Sequence, residues 1–230
     1  MTKKTLNTKR QSEAKSLVGE TIGTLSFTTK MPCASFSIPT LACKVGSIPR
    51  ETPGSVCNKC YAHRLQHRRS SLRQSLQNNL DKLSSALQSP ESQETWVSAF
   101  VKILNHLGDP YFRWHDAGDL QSLKHLRMVV EVARRTPNIK HWLPTKEYKL
   151  IKDFLGSDTF PLNLIVRVSS PMLGQGPLPG FQHTSTVTGK DSLPMLGHGT
   201  MCPAPSQNNQ CLDCRKCWNT SVPNITYIYH

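Results

Sequence analysis

The sequence predicts an α/β fold: a partial parallel (β/α) barrel-like sheet whose open end is closed by cysteine-rich N- and C-terminal segments. Strand-like runs alternate with helix-length apolar repeats from 111 to 170, the rhythm of parallel βαβ units with right-handed crossovers. Polar and charged residues recur after three successive strand runs, where ligand-binding groups gather in parallel sheets. Cysteines crowd into two stretches, 43–60 and 202–217. The 230 residues, 37% hydrophobic and 19% charged, suffice for one core, and no repeat or low-complexity tract divides them.

Residues 1–18 carry Lys3, Lys4, Lys9, Arg10 and Lys15 and read as a basic flexible arm, leaving 19–230 as a single α/β domain. No apolar stretch follows this charge, so a secretion signal is not expected. No run is long enough to span a bilayer, and the expectation is a cytoplasmic protein without a membrane partner. From about 20 to 60, TIGTLSF and ASFSIP suggest one or two short strands, followed by a loop wrapped around a site. Leu65, Leu72, Leu76, Leu80, Leu83 and Leu87 keep helical spacing and predict one long helix. Ser89-Pro90-Glu91 reads as N-cap, first-position proline and first-turn acid of the next helix, which stops at Gly108.

YFRWHD (111–116) is a predicted strand, AGD turns into a helix bearing Leu120 to Ala133, and IKHWLP (139–144) is the next strand. TKEYKLIKDFL predicts a short helix and NLIVRVSS (163–170) a third strand. The Gly-, Pro-, Ser- and His-rich span 171–210 gives no regular element, and NITYIYH is a last strand.

Eight cysteines without a secretion signal argue against a disulfide framework, because the cytosol keeps thiols reduced. Cys202, Cys211, Cys214 and Cys217 lie within sixteen residues and can close around one zinc or one cubane cluster. Cys43, Cys57 and Cys60 form C-x13-C-x2-C. Three thiolates would leave one iron of a 4Fe-4S cluster open, whereas Cys33 as a fourth ligand would close a structural site; otherwise Cys33 is a buried thiol. The formal charge of +13, with a second basic cluster at Arg64, Arg68, Arg69 and Arg73, favours nucleic acid as a partner, although a solvated helix face accounts for any single cluster equally well. No G-x-S-x-G, H-E-x-x-H or Walker loop is present.

KMPCASFSIP, ACKVGSIPRETPGSVCNKCYA, FRWHDAGDLQSLKHL, HWLPTKEY, NLIVRVSS, CPAPSQNNQCLDCRKCW and ITYIYH together resemble the phage gene product 88 domain family over residues 30–230. More distantly, SVCNKCYA resembles the end of the cluster loop in radical S-adenosylmethionine (SAM) proteins related to spore photoproduct lyase. Their usual first gap of three residues is here thirteen. This second resemblance implies a 4Fe-4S cluster on Cys43, Cys57 and Cys60 that activates SAM, with an auxiliary cluster on the other four cysteines. It also implies that the turn after the first predicted βαβ strand binds SAM, which falls on Asp116, Gly118 and Asp119. Position at strand ends adds Thr145, Lys146, Glu147, Arg167 and Ser169 as cofactor-binding candidates, with His115, Asp116 and Lys146 as catalytic ones. The plainer role for Asp119 is a helix cap. His141 and His230 are further acid–base or ligand candidates, and the tryptophans 114, 142 and 218 read as packing. Two functions follow: a phage-type radical-SAM-like enzyme acting on or with nucleic acid, by base modification for instance, or a non-enzymatic nucleic-acid-binding protein stabilised by zinc or inert clusters.

Overall fold

The structure is a computed structural model that describes residues 2–189 and 199–229. Seven parallel strands form one sheet: β1 (Ser35–Phe36), β2 (Tyr111–Trp114), β3 (Lys140–Thr145), β4 (Leu164–Ser169), β5 (Thr184–Thr188), β6 (Thr200–Met201) and β7 (Asn224–Ile228). Their order is β1-β2-β3-β4-β5-β7-β6, so the expected α/β class and parallel sheet are present, with β7 inserted before β6. Among the described residues no helix is long and apolar enough to cross a membrane.

Helices cover one face of the sheet. α4 (Pro90–Leu107) starts at Ser89, whose hydroxyl accepts from the Ser92 N–H while Ser92 reaches back, a reciprocal cap, and ends at Gly108 as expected. It presents Trp96, Phe100 and Ile103 to Phe36, Phe112 and Trp114 of the strands. Phe36 meets Trp96 and Phe100 edge to face at ring-centroid distances of 5.9 and 5.2 Å. α5 (Leu123–Arg135) is capped by Ser122, not Asp119, and buries Leu126, Val129, Val130 and Ala133 against the same sheet face. α6 (Tyr148–Leu155) adds Ile151 and Phe154.

Residues 1–18 are no free arm. α1 (Lys3–Ile22) buries Ala14, Val18 and Ile22, one stripe at four-residue spacing, in the main core. A second four-residue stripe ties it to the chain ahead of β1: Lys3, Asn7 and Gln11 donate to the carbonyls of Thr29, Phe27 and Leu25. Arg10 pairs with Asp109. With few apolar residues, of which Leu6 and Leu17 are exposed, this helix is too polar on average to stand out by hydropathy.

The predicted long leucine helix is two, α2 (Tyr61–Arg68) and α3 (Ser70–Ala86), divided at an extended Arg69. α3 packs in the core through Leu83. α2 instead turns to the loop before it, where Gln66 Oε1 accepts from both the N–H and the hydroxyl of Thr40. Within 171–210 the structure places β5 and β6, and residues 190–198 and His230 lie outside the described residues. β5 escapes hydropathy because its buried face is threonine: Thr184 donates to Asn224 Oδ1, and the Thr186 and Thr226 hydroxyls stand 2.9 Å apart.

Three histidines are sealed in or beside the core. His141 accepts from the Trp114 indole on Nδ1 and meets the Thr136 hydroxyl on Nε2, so it is held neutral. Burial depresses His141 to about 3; burial and then Arg113 depress His115 to about 3; burial and then His115 depress His125. Each folded value lies below the unfolded value of about 6.5, so the unfolded chain binds protons first as pH falls. Their contribution is complete above about pH 6.5 and is lost toward pH 3. Urea midpoints should therefore fall steadily between pH 7 and 4, and a flat profile would contradict neutral burial of these rings. Separately, Ile22→Ala should cost about 2–5 kcal/mol in urea unfolding, the price of a core cavity; a truly mobile arm would give no change.

Candidate metal centres

The loop carrying Cys43, Cys57 and Cys60 lies across the C-terminal ends of β1 to β4 and is bonded to the segments following β2, β3 and β4. After β2, Ala117 C=O accepts from Ile38 N–H, and Gln121 donates to the Ala42 carbonyl while its own carbonyl accepts from Lys44 Nζ. After β3, Glu147 Oε1 accepts from the Val45 N–H at 2.8 Å. After β4, Pro171 C=O accepts from Val56 N–H and Leu173 N–H donates to Gly54 C=O. The cysteine loop is thus fixed by the chain that leaves each strand.

Within the loop, a Cβ placed on Gly46 would stand 3.6 Å from Cys57 Sγ and 3.9 Å from Cys43 Sγ, so both sulfurs line the same small space. Cys60 is the N-cap of α2. Burial pushes Cys43 up to about 12, with Asp119, Cys60 and Cys57 adding to the rise. Burial also raises Cys57, opposed first by Lys146. The three thiols are therefore electrostatic neighbours of one another, with Asp119 and Lys146 beside them. A metal binding here displaces protons.

Asp119 organises the turn below the loop. Its carboxylate accepts from the Leu120 N–H at 2.8 Å, the Thr145 hydroxyl at 2.6 Å and the Lys146 N–H at 2.8 Å. Burial nevertheless pushes it up to about 6, against those three bonds. Gly118 has φ +78°, and a Cβ there would meet Ile38 Cγ1 at 2.3 Å, so the turn can approach the chain after β1 only as glycine. Asp116 is held by the hydroxyls of Ser35 and Ser37. Lys146 and Ser169 line a cleft of about 340 Å³ with Val45, Tyr148, Lys152 and Phe181. His115 points elsewhere: at φ +54° its ring lies against Phe36 and His125, with neither nitrogen hydrogen-bonded.

The second cysteine group occupies the sheet face turned away from the helices. Register places Arg113 beside Trp142, Trp142 beside Ile165, and Pro144 beside Arg167 on that face. Burial raises Cys202, Cys211 and Cys217, the last to about 11. Cys214 adds to the rise at Cys202 and Cys211, and Cys202 adds to it at Cys211 and Cys217, so the four thiols share one neighbourhood. Cys217 Sγ lies 3.4 Å from the Tyr227 hydroxyl. Cys33 belongs here as well, packed with Trp142 and Trp218 against Cys217. Burial pushes its thiol to about 12, and among the cysteines Cys211 is the one that adds to that rise.

Arg167, a strand-end ligand candidate by sequence, lies fully buried within β4 and clamps this segment. Its guanidinium donates to the carbonyls of Lys216, Cys217 and Asn219 at 3.1 Å and of Val222 at 2.9 Å. Arg113 lies over the Trp142 ring at 4.6 Å, and its buried Nε has no hydrogen-bond partner. Among the described residues neither arginine has a carboxylate within ion-pairing distance. An anionic thiolate–metal group fits beside two such cations, and zinc and 4Fe-4S share this donor set. Among the described residues no group of three or more His, Cys, Asp or Glu side chains stands in ion-holding geometry.

Sequence reasoning thus found the cysteines and the strand ends but missed Arg113, Gln121 and Tyr227. No spacing rule marks these three: Arg113 and Tyr227 lie on strands, and Gln121 in the turn before α5. The tryptophans do pack: Trp218 donates its indole N–H to the Phe112 carbonyl at 2.9 Å. Arg167→Lys should lower stability by about 3 kcal/mol or more, because each buried carbonyl left without a donor costs about 1–3 kcal/mol. It should also reduce the metal retained by the C-terminal cysteines, read by metal analysis and thermal melting. Full retention with an unchanged melt would contradict the clamp.

No curated protein and no solved structure matches the chain. The family model described as Gene product 88 matches residues 2–220, and the chain belongs to that family.

Proposed function

We propose that this chain is a phage-type, radical-SAM-like iron–sulfur protein that acts on or with nucleic acid. The observation that carries the reading is the separation of Cys33 from Cys43, Cys57 and Cys60. Cys33 packs with the C-terminal thiols, which takes away the fourth thiolate that a closed zinc site on the N-terminal loop would need. Cys43, Cys57 and Cys60 would hold a 4Fe-4S cluster, on a loop seated at the carboxyl edge of a parallel sheet. With SAM, such a cluster would supply hydrogen-abstraction chemistry once an external one-electron donor reduces it.

The chain's own residues prepare that place. Asp119, held by the Thr145 hydroxyl and the Lys146 N–H, ties the turn after β2 to the end of β3, and Glu147, bonded to Val45, fixes the loop there. The cleft beside it, with Lys146, Tyr148, Lys152 and Ser169, offers cationic and hydroxyl groups over apolar walls. Cys202, Cys211, Cys214 and Cys217 hold the auxiliary cluster, with Arg113 and Arg167 opposite its negative charge. Arg64, Arg68, Arg69 and Arg73 are exposed, make no ion pair among the described residues, and lie on or between the helices that leave Cys60. They offer a track for a polyanion that ends at the cysteine loop.

Anaerobic reconstitution, dithionite reduction and addition of SAM should yield 5′-deoxyadenosine, and Cys57→Ala should abolish it while the C-terminal site keeps its metal. No 5′-deoxyadenosine from protein with both clusters intact would sink the enzymatic part. Replacing the four arginines by glutamine should weaken oligonucleotide binding and flatten its dependence on salt.

A further inference from the structure

We propose that His63 and His67 form a two-imidazole site for a divalent transition metal of the zinc class, separate from the cysteine centres. The two residues stand four apart on α2, one turn past Cys60, and thus on one helix face. Their Nε2 atoms are 3.0 Å apart, and their ring centroids 4.5 Å apart. Two nitrogens bound to one zinc at about 2.0–2.1 Å in a tetrahedral arrangement stand about 3.3 Å apart. The observed spacing is within a few tenths of an ångström of that.

The neighbouring hydrogen bonds select the tautomer that a metal needs. The Thr40 backbone N–H can only donate, so the Gln66 atom facing it is the oxygen. The Thr40 hydroxyl donates to that same oxygen, at 3.1 Å. It is left as the acceptor for His63 Nδ1–H, also at 3.1 Å. His63 therefore keeps its proton on Nδ1 and aims the Nε2 lone pair at His67. Such a second bond behind a ligating imidazole is what orients it in metal sites. Without metal, His67 fills the lone pair with its own Nε2–H. On binding, that proton leaves Nε2, exposed His67 carries its N–H on Nδ1 toward solvent, and both lone pairs close on the ion. The remaining coordination positions face solvent, on a helix that also carries exposed Arg64 and Arg68, and are open to water or to an oxygen of an anion.

The test uses tag-free full-length protein titrated with Co²⁺ under anaerobic conditions, then with Zn²⁺ by calorimetry. Cobalt on cysteine shows a thiolate charge-transfer band in the near ultraviolet; cobalt on the histidines gives ligand-field bands without it. The expected result is one equivalent of the second kind. His67→Ala, at an exposed position, should remove that equivalent and leave both the thiolate band and the melting temperature unchanged. Thr40→Val should weaken it about tenfold, as loss of a second-sphere bond does, and Thr40→Ser should restore it. Metal binding unaffected by His67→Ala, or no equivalent beyond those on the cysteines, overturns the proposal.

Discussion

Two guanidinium groups on the sheet face turned away from the helices, with no carboxylate within ion-pairing distance among the described residues, constrain the segments around them. Arg167 is fully buried in β4 and bonds only to main-chain carbonyls. Arg113 is stacked on Trp142 with a buried nitrogen unpartnered. A buried cation without a counter-charge is expensive in a protein interior. The chain offers carbonyl dipoles to one of these cations and an aromatic face to the other, with Cys211 and Cys217 as electrostatic neighbours. Thiolates on a metal would provide the missing negative charge. The sheet, the cysteine segment and the position of Trp218 then follow from a single electrostatic requirement.

The other end of the sheet solves a different problem. The chain between β1 and α2, whose regular structure is limited to two short 3-10 turns at Thr40–Ala42 and Ile48–Arg50, needs partners for its backbone groups. The turns after β2, β3 and β4 provide them through Ala117, Gln121, Glu147 and Pro171. Polar residues at successive strand ends here serve the loop first. Thr145 reaches Asp119, and Ser169 stands 2.8 Å from Ser185 across the sheet. Their recurrence in the sequence has a structural cause, and the cleft at this edge presents Lys146, Tyr148, Lys152 and Ser169.

What the sequence made legible was set by short-range physics. Ser89-Pro90 marked the start of α4 because capping is local, and the cysteine pairs stood out because chelation has a fixed reach. What it hid depends on partners far along the chain. α1 buries only Ala14, Val18 and Ile22, leaving Leu6 and Leu17 exposed, and its polar stripe makes sense only once the chain at 25–29 lies beside it. β5 is a buried threonine strand whose hydroxyls find Asn224 and Thr226 forty residues on. The division of the leucine helix at Arg69 was equally hidden, because α2 is turned by Gln66 toward Thr40. Arg167 has the burial of a core residue and the side chain of a surface one, so neither composition nor position discloses its role.

The two cysteine groups differ in what holds them before any metal arrives, and that difference bears on which could do chemistry. The N-terminal loop is tied at three strand ends by hydrogen bonds of the protein itself, including those of Lys44 and Glu147. A site ordered in advance can leave a coordination position for substrate. The C-terminal segment is held by Arg167, whose guanidinium donates to the carbonyls of Lys216, Cys217, Asn219 and Val222; under the proposed reading, metal binding and local order would be coupled there. Under the proposed partition, the first group is the working centre and the second a structural or electron-transfer centre. The partition rests on the backbone bonds of the two segments, whichever metal each prefers.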